Sequence, residues 1–388
     1  MTPAARIQAA IEIVDQVIAS ARDDGAPADV IVADYFRTRR YAGSGDRRAV
    51  REWVFRAIRH SAEAPASGRS ALLAFDDART LFDGSAHGPA VAQDEEPVAP
   101  QGIIPGWLRG ELSSLVTPDE WPALVERAPL DLRVNAARLP RDAALALFPG
   151  AVPTPLSPWG LRLPADTRVS DHPAFLDGRV EVQDEGSQLI AFASDPQPDQ
   201  RIVDLCAGAG GKSLALAAAA PSATIIGCDT SRQRLARLSP RAFRSGARIT
   251  QRLLDQPREA AGLADLAATA DTVLVDAPCS GSGTWRRNPE GRWRLTPDRL
   301  ARLIELQARV LDLASPVVKP GGHLVYAVCS LLTREGEAQV AAFLTRHSSF
   351  RATSLPMDGG RETGRGQLLT PAHDGTDGFF IARMQRAW

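Results

Sequence analysis

The sequence predicts an α/β protein whose second half is a doubly wound, Rossmann-like domain, preceded by a small α+β module and an all-helical N-terminal domain. Three observations support this fold class. From Arg201 onward, short apolar runs alternate with helical stretches, which is typical of a parallel sheet with helices on both faces. Residues 201–213 predict a strand, a glycine turn and a helix, the arrangement that forms nucleotide pockets. Apolar residues at helical spacing over residues 4–21 predict an amphipathic helix.

The same patterns predict the individual elements and the domain limits. The predicted helices of the first part are 4–21, 28–37, 45–58 and 71–81. The α+β module has strands at 130–135 and 160–163 and a helix at 140–148. The predicted strands of the second half are 202–206, 224–228, 249–254, 272–275 and 323–328. We therefore expect a helical domain at 1–83, a linker at 84–103, the α+β module at 104–180 and the Rossmann-like domain at 181–388.

Composition narrows the class of protein. Hydrophobic residues make up 44% of the 388 residues, as in globular proteins. No run of about 18 apolar residues predicts a transmembrane helix, and the N-terminus lacks a signal-peptide core, so we expect a cytoplasmic protein. The net charge is −1, so the molecule as a whole does not attract polyanions. Lys212 and Lys319 are the only lysines, so phosphate contacts would come mainly from arginine.

The cysteines are Cys206, Cys228, Cys279 and Cys329, and none has the CxxC spacing of a zinc site. We therefore expect neither a metal nor disulfides. Burial as a small apolar side chain is the usual role of such a cysteine, and it suits Cys228. Cys279 and Cys329 instead follow two strands whose carboxyl ends face one cleft. This placement suggests covalent chemistry by a thiolate.

The glycine turn and the carboxylates after the strands predict an adenosine pocket. The turn lacks the third glycine of a dinucleotide motif, since Ser213 stands there. Asp229 follows the second strand, where a carboxylate can bind ribose hydroxyls, and Asp255 follows the third, where it could meet an adenine amino group. This set fits S-adenosylmethionine as well as NAD. For each aspartate alone, a helix N-cap is an equally good interpretation.

Three motifs carry a resemblance to a known family. DLCAGAGGKS (204–213), DAPCSGSG (276–283) and VYAVCS (325–330), followed by Glu335 and Glu337, resemble the signatures of RNA (cytosine-5) methyltransferases of the Nop/Sun type. The chain is most similar to the bacterial RsmB-like group, which modifies small-subunit ribosomal RNA. VQDEGSQ, RRNPE, PGWL and DGFF fit the same family, and YFRTRRYAGSGDRRAVREWVFRAIRH is similar to its helical, NusB-like RNA-binding domain.

The resemblance implies a role for each site residue. Cys329 would be the nucleophile that attacks C6 of cytosine, and Cys279 would help resolve the covalent adduct. Asp276 would hold and protonate N3 of the ring, and Lys212 would orient that carboxylate and the base. S-adenosyl-L-methionine would be the cofactor and RNA the partner. The implied cofactor-binding residues are Cys206, Ala207, Gly208, Ala209, Gly210, Gly211, Lys212, Asp229, Arg234, Asp255 and Asp276.

The chain departs from the family pattern at two places. The usual Ala-Pro-Gly-Gly-Lys turn is Gly208-Ala209-Gly210-Gly211-Lys212 here, and the usual Glu-Asn after the nucleophile motif is Glu335-Gly336. Three alternatives stay open: a non-catalytic RNA-binding protein of the same fold, the same chemistry on transfer RNA, and an NAD-linked dehydrogenase. The missing third glycine and the cysteine pair count against the dehydrogenase.

Two basic stretches are candidates for RNA contacts. The first consists of six arginines around Tyr41 (residues 37, 39, 40, 47, 48 and 51), which suit a phosphate backbone but equally suit a solvated helix face. The second is residues 285–294, with four arginines and two tryptophans, expected near the cleft to grip phosphates and stack a base. Tryptophans packed under a loop are the alternative for the second stretch.

Overall fold

The computed structural model describes residues 1–23, 25–164 and 167–388, and this part of the chain forms two compact units. The first unit comprises residues 1–127 and 284–297, and the second comprises 128–283 and 298–388. Residues 104–127, expected with the α+β module, therefore group with the helical unit. The domain limits expected at 83, 103 and 180 stay predictions.

The first unit is helical. Its longest helices are amphipathic as predicted, and their buried faces form one core that includes Ile7, Val14, Val54 and Ile58. Thr2 caps the first helix by accepting a hydrogen bond from the Ala5 N–H at 3.1 Å. The α-helices are Pro3–Arg22, Ala28–Arg37, Ser44–His60, Gly68–Leu72, Asp76–Arg79 and Gly291–Arg294, and the 3₁₀ helices are Gly106–Glu111 and Pro118–Leu124.

The single helix predicted at 71–81 is wrong, because the chain forms two short helices there. Ser67 caps the first of them, which begins earlier than predicted. Gly68 lies so close to the N-terminal helix that a Cβ at this position would meet the Ile11 carbonyl oxygen at 2.2 Å. Phe75 then adopts an extended conformation and places its ring in the core, which interrupts the helix.

Residues 284–297 pack into the helical core of the first unit. Trp285 and Trp293 are buried, and the Trp293 Nε1–H donates to the Ser61 carbonyl at 3.0 Å. The guanidinium of Arg292 donates to the carbonyl oxygen of Ile58 at 2.6 Å, and thus binds a free carbonyl in the last turn of the helix Ser44–His60. The expected role of the two tryptophans and Arg292 in gripping RNA is therefore wrong, and structural packing is their role.

We expect Trp293→Ala to lower the free energy of unfolding by about 3–5 kcal/mol, since it removes a buried aromatic ring and leaves a cavity. Urea unfolding followed by circular dichroism measures this change. Trp388→Ala is a matched control, because Trp388 is 95% exposed; its unfolding free energy should change by about 0.5 kcal/mol or less. Equal stabilities of the two variants would contradict the core role of Trp293.

The second unit begins with a small antiparallel sheet in the order β2-β3-β1-β4. Its strands are β1 (Leu130–Val134), β2 (Val152–Pro153), β3 (Gly160–Leu163) and β4 (Val180–Val182). The predicted strands at 130–135 and 160–163 correspond to β1 and β3, which pair antiparallel. The helix predicted at 140–148 is shorter, at Arg141–Leu145.

The larger sheet of the second unit has nine strands, and its parallel part matches the predicted strands. These are β5 (Arg201–Asp204), β6 (Thr224–Asp229), β7 (Ile249–Leu253), β8 (Ala270–Asp276) and β9 (Val318–Val328). Antiparallel strands that the sequence patterns did not predict extend the sheet beyond β9: β10 (Phe350–Thr353), β11 (Arg361–Thr363), β12 (Gly366–Leu369) and β13 (Phe379–Arg386). The order is β11-β12-β13-β9-β8-β5-β6-β7, with β10 paired to β13.

Helices connect and cover the larger sheet. Its central strands are buried, with Val203, Leu274 and Val325 fully inaccessible to solvent. None of the helices in the described part of the chain is long and apolar enough to cross a membrane. The α-helices of this unit are Arg141–Leu145, Pro173–Leu176, Glu185–Ala193, Gly211–Ala219, Arg232–Leu235, Leu238–Ser245, Glu259–Leu263, Pro297–Ala314, Glu337–Arg346 and Pro371–Asp374, and the 3₁₀ helices are Ala264–Leu266 and Ser282–Thr284.

Candidate active site

A cavity of about 580 Å³ lies at the carboxyl ends of β5, β6, β8 and β9. It brings together most of the residues that the sequence predicted for the site. All four proposed catalytic residues line it, and so do most of the proposed cofactor-binding residues. The predicted residues in its lining are Cys206, Ala207, Gly208, Ala209, Gly211, Lys212, Asp229, Arg234, Asp276, Cys279 and Cys329.

The glycine turn between β5 and the helix Gly211–Ala219 depends on two glycines. Gly208 and Gly210 have φ angles of +55° and +85°, which residues other than glycine rarely adopt. A Cβ at Gly208 would point into open space, whereas a Cβ at Gly210 would meet Leu238 Cγ at 2.6 Å. The absence of a side chain at Gly210 therefore lets the turn pack closely against Leu238, while the backbone of Gly208 is open to a ligand.

Asp229 ends β6 and is 3% exposed. Its carboxylate accepts hydrogen bonds from the Gly208 N–H at 2.8 Å, the Ser231 N–H at 2.7 Å and the Arg234 guanidinium at 2.9 Å. Since a carboxylate has about four acceptor positions, one remains for a ligand, and more if Arg234 moves away. The N-cap of the helix Arg232–Leu235 is Ser231, which accepts from the Arg234 N–H, so the N-cap interpretation of Asp229 is wrong and the ligand interpretation stays a prediction.

Two predicted cofactor residues do not line the cavity. Gly210 faces Leu238, as described above. Asp255 is exposed, and its neighbours Leu254 and Gln256 line the cavity instead. The contact of Asp255 with adenine stays a prediction.

Cys279 and Cys329 lie at the ends of the adjacent parallel strands β8 and β9 with their Sγ atoms 3.3 Å apart. The hydrogen bond with Cys329, burial and the nearby Glu335 carboxylate raise the pKa of the Cys279 thiol well above its usual range. Cys279 therefore keeps its proton in the resting protein and can donate it toward Cys329. Cys228, by contrast, is fully buried in β6.

Lys212 and Asp276 form an ion pair beside the two thiols, with the Nζ and Oδ2 atoms 2.6 Å apart. Burial opposes the charge of Lys212, but Asp276, Cys329 and Asp204 outweigh it and raise the pKa of the lysine. Lys212 is therefore a permanent cation that neutralises the negative charge at this end of the cavity.

Asp204, at the end of β5, is a buried lining residue that the sequence reasoning did not select. It accepts a hydrogen bond from Ser213 Oγ at 2.6 Å, and its Oδ1 atom has no hydrogen-bond partner in the described structure. Burial raises its pKa to about 6, against the lowering effect of the Ser213 hydroxyl. The third-glycine position of the turn is thus used by Ser213 to hold this carboxyl group.

The sequence profile of the family described as 16S rRNA methyltransferase RsmB/F matches residues 191–385. This range contains β5 to β9, the cavity lining and both catalytic cysteine candidates. The chain belongs to the RsmB/F methyltransferase family. The resemblance found in the three sequence motifs is therefore confirmed.

Individual relatives agree with this RsmB/F assignment. Ribosomal RNA small subunit methyltransferase B of Salmonella arizonae is 37% identical over 292 residues, which cover 73% of this chain. The matched part spans 66% of that relative's length, slightly less than two thirds.

Two solved structures are similar to this RsmB/F chain. The crystal structure of PH0851 superimposes with a TM-score of 0.78 at 22% identity and covers 100% of this chain and 99% of its own. A methyltransferase homolog from Pyrococcus horikoshii has a TM-score of 0.62 at 26% identity and covers 71% and 92% of the two chains. Both likenesses confirm the Rossmann-like fold, and the first, which covers the whole chain, includes the preceding modules.

Four further residues shape the site, and the sequence patterns gave them no role in it. Glu335 and Gln307 are fully buried and hydrogen-bonded to each other behind the cysteines, and Arg309 pairs with Glu259 at the wall of the cavity. Gln307 lies within an uninterrupted helix, Pro297–Ala314, where nothing in the local sequence marks it as a site residue. Glu335 was noticed as part of a motif, but only its separation from Cys329 could have suggested a role.

The buried Asp204 makes protein stability depend on pH. Its pKa in the folded protein is raised from 3.8 to about 6, so the unfolded chain releases this proton at lower pH than the folded protein does. Between about pH 4 and 6 the folded state binds more protons at this group, and the free energy of unfolding falls as pH rises. Above that window the effect is constant.

We expect Asp204→Asn to remove the contribution of this group to the fall in unfolding free energy between about pH 4 and 6. The melting temperature of the variant, relative to wild type, should increase as the pH is raised from 4 to 6 and then level off. Thermal unfolding at half-unit pH steps measures the difference. Using a difference cancels the contributions of other groups, such as His323, whose pKa burial lowers to about 4. A difference that does not vary with pH would contradict a raised pKa for Asp204.

Proposed function

We propose that this chain transfers a methyl group to C5 of a cytosine in RNA, with 16S ribosomal RNA as the substrate, through a covalent adduct with Cys329. The observation that carries the proposal is the pair of thiols 3.3 Å apart beside the Lys212–Asp276 ion pair, at the rim of a cofactor-sized cavity. An NAD-linked dehydrogenase has no use for two such cysteines, and a non-catalytic RNA-binding protein has no need of this arrangement.

S-adenosyl-L-methionine is the cofactor of this methyltransferase family, and the residues present fit it. The open backbone at Gly208 and the spare acceptor position of Asp229 suit an amino acid end and a ribose, respectively. The unpartnered buried oxygen of Asp204 adds negative charge for a cationic ligand. When bound, the cofactor supplies an electrophilic methyl group.

The chain's own residues activate the base. The Cys329 thiolate adds to C6 of cytosine, and the electron pair of the C5–C6 double bond moves into the ring toward N3. Asp276 gives a proton to N3 as negative charge develops on the ring, and the Lys212 ammonium stabilises the carboxylate that is left. C5 thereby becomes nucleophilic enough to accept a methyl group.

Release of the product requires a base at C5 and departure of Cys329. Once Cys329 is a thioether, it no longer accepts a hydrogen bond from Cys279 or carries charge, and two of the causes that raise the pKa of Cys279 disappear. Cys279 then loses its proton more easily and can take the C5 proton as the C6–S bond breaks. The pair thus divides attack and release between Cys329 and Cys279.

Basic surfaces support RNA as the partner. Residues 230–254 contain seven arginines and no acidic residue, and Phe243 within them is 90% exposed. Arg232, Arg237 and Arg248 are exposed in this stretch. An exposed ring among exposed arginines suits a phosphate backbone with a stacked base. The sequence reasoning missed this stretch because its arginines are scattered over two helices and a strand.

In the N-terminal arginine cluster, only part of the set is free for RNA. Arg39 lies 3.7 Å from the centre of the Tyr35 ring, and Arg47 donates to the Ala42 carbonyl at 2.9 Å. Arg40 and Arg48 are exposed. We expect the double change of Arg40 and Arg48 to alanine to weaken RNA binding and to reduce the slope of log affinity against log salt by about one to two.

Filter binding at several salt concentrations measures that slope. Arg351→Ala is the matched control, since Arg351 is an exposed arginine on β10 that is bonded to Gln385. If neither the double variant nor the Arg351→Ala control changes the salt-dependence slope, Arg40 and Arg48 only form a solvated helix face.

The proposed reaction is tested with the purified chain, S-adenosyl-L-methionine carrying a labelled methyl group, and either unmodified 16S ribosomal RNA or transfer RNA. We expect label in the ribosomal RNA, and bisulfite sequencing should locate it at a single cytosine. Label on transfer RNA alone would assign the same chemistry to a different substrate. Label on an exocyclic nitrogen would rule out the Cys329 mechanism.

A further inference from the structure

Glu335 is a fully buried carboxylate behind the catalytic cysteines. Its Oε1 atom accepts hydrogen bonds from the Ser280 N–H and from Gln307 Nε2, both at 2.8 Å. Its Oε2 atom accepts from the hydroxyls of Ser280 and Ser330, both at 2.5 Å. Four donors fill the acceptor positions of a carboxylate, so this group is fully satisfied without a cation.

The donors to Glu335 come from the two loops that carry the thiols. Ser280 directly follows Cys279, and Ser330 directly follows Cys329. Their hydroxyls meet at one oxygen atom of Glu335. Gln307, besides contacting Glu335, donates to the carbonyl of Pro278, the residue before Cys279, at 3.0 Å. The carboxylate is therefore the common anchor of both cysteine loops.

A buried carboxylate is costly unless every acceptor position is used, and it makes directional bonds that apolar packing cannot replace. Its geometry thus specifies one arrangement of the groups that donate to it. Of the buried carboxylates in the second unit, Glu185 also accepts two backbone N–H groups, from Leu156 and Ser157, but these lie in the small-sheet region. Glu335 is the one whose described donors flank both thiols.

We propose that Glu335 is a positioning residue that sets the separation of Cys279 and Cys329 by binding the hydroxyls of Ser280 and Ser330. Its catalytic consequence rests on the proposed function, since covalent attack and release need both sulfur atoms at one face of the base. A displacement of about 1 Å in such a site can cost on the order of 100-fold in rate. Glu335 itself does not touch the cavity.

The separation of the thiols can be measured without RNA or cofactor. Diamide oxidises two neighbouring thiols to a disulfide, taking up the two electrons and two protons that the cysteines lose, and becomes a hydrazine. The rate at which the Cys279–Cys329 disulfide forms is followed by mass spectrometry of the linked peptides. It reports how often the two sulfur atoms come within bonding distance. We expect Glu335→Gln to form it about tenfold more slowly than wild type.

A positioning role of Glu335 and a purely electrostatic role predict opposite changes in the rate of disulfide formation. The Glu335 charge contributes to the raised pKa of Cys279, so loss of the charge alone would favour the thiolate and speed up oxidation. Slower oxidation therefore supports positioning, and oxidation at the wild-type rate or faster overturns it. Glu185→Gln is the matched control, because it also neutralises a fully buried carboxylate, and its oxidation rate should equal that of wild type.

If Glu335→Gln does not fold, the single variants Ser280→Ala and Ser330→Ala replace it in the oxidation experiment. Each removes one donor and leaves the carboxylate, so we expect oxidation about two- to fivefold slower with an unchanged melting temperature of the larger unit. Wild-type rates in both serine variants overturn the proposal.

Kinetics with RNA complete the test. We expect Glu335→Gln to lower kcat about tenfold or more while the KM values for RNA and S-adenosyl-L-methionine stay within twofold of wild type, and Glu185→Gln to leave kcat unchanged. A raised KM with unchanged kcat would overturn the positioning role. If the wild-type chain itself methylates no RNA, the proposed function fails, but the oxidation rates still decide the role of Glu335.

Discussion

Cys329→Ala is expected to abolish methyl transfer to RNA, with a loss in kcat on the order of 10⁴-fold or more, as for other covalent nucleophiles. Without the sulfur atom no bond to C6 can form, and C5 of cytosine stays a poor nucleophile. Burial and the Glu335 carboxylate, which do not depend on Cys329, still raise the pKa of the Cys279 thiol and disfavour attack by it. Transfer of a labelled methyl group to 16S ribosomal RNA measures the loss.

The control for this experiment separates chemistry from folding. Cys228→Ala removes a fully buried cysteine that lies in β6, away from the proposed reacting atoms, and should retain kcat. Calorimetry should give Cys329→Ala the wild-type affinity for S-adenosyl-L-methionine, because the sulfur atom is not needed for the ribose contact. Methyl transfer by Cys329→Ala at the wild-type rate would show that Cys329 is not the nucleophile.

Cys279→Ala has the second large effect, accumulation of a covalent complex between protein and RNA. Cys329 can still attack and C5 can still be methylated, but the base that removes the C5 proton is missing. The adduct therefore cannot collapse to product, and turnover stops after about one cycle. We expect a slowly migrating band on a denaturing gel when protein, RNA and cofactor are mixed.

The double variant Cys279→Ala/Cys329→Ala is the control for that band. It lacks the nucleophile, so the band should vanish while non-covalent RNA affinity is retained. Should Cys279→Ala turn over without any trapped species, another group must remove the C5 proton, and the assignment of Cys279 would be wrong.

The parallel sheet and the chemical motifs could be predicted from sequence because short stretches of neighbouring residues determine both. A buried parallel strand is a short apolar run, and β5, β6 and β8 each match such a run within two residues at either end. Cys279 lies close behind the run of β8 and Cys329 directly follows the run of β9, so their meeting at one sheet edge follows from topology alone. The 3.3 Å separation of their sulfur atoms does not, since it depends on Ser280, Ser330 and Glu335.

Contacts that join distant parts of the chain were the source of the errors. The guanidinium of Arg292 binds a carbonyl 234 residues away, at Ile58, and a basic, aromatic segment in a loop has no local signal for such burial. The helix predicted at 71–81 failed for the same reason, because the close approach of Gly68 to the N-terminal helix decides where the chain bends.

The pairing of β9 with β13 has a consequence for biosynthesis. Cys329 directly follows β9, and the last pair of that strand joins Val328 to Phe380. The strand that leads to this proposed nucleophile thus stays an unpaired sheet edge on that side until residues 379–386 have been translated and have left the ribosome. A nascent chain paused before this point would expose that edge, and we expect methyl transfer only from chains in which residues 379–386 have paired with β9.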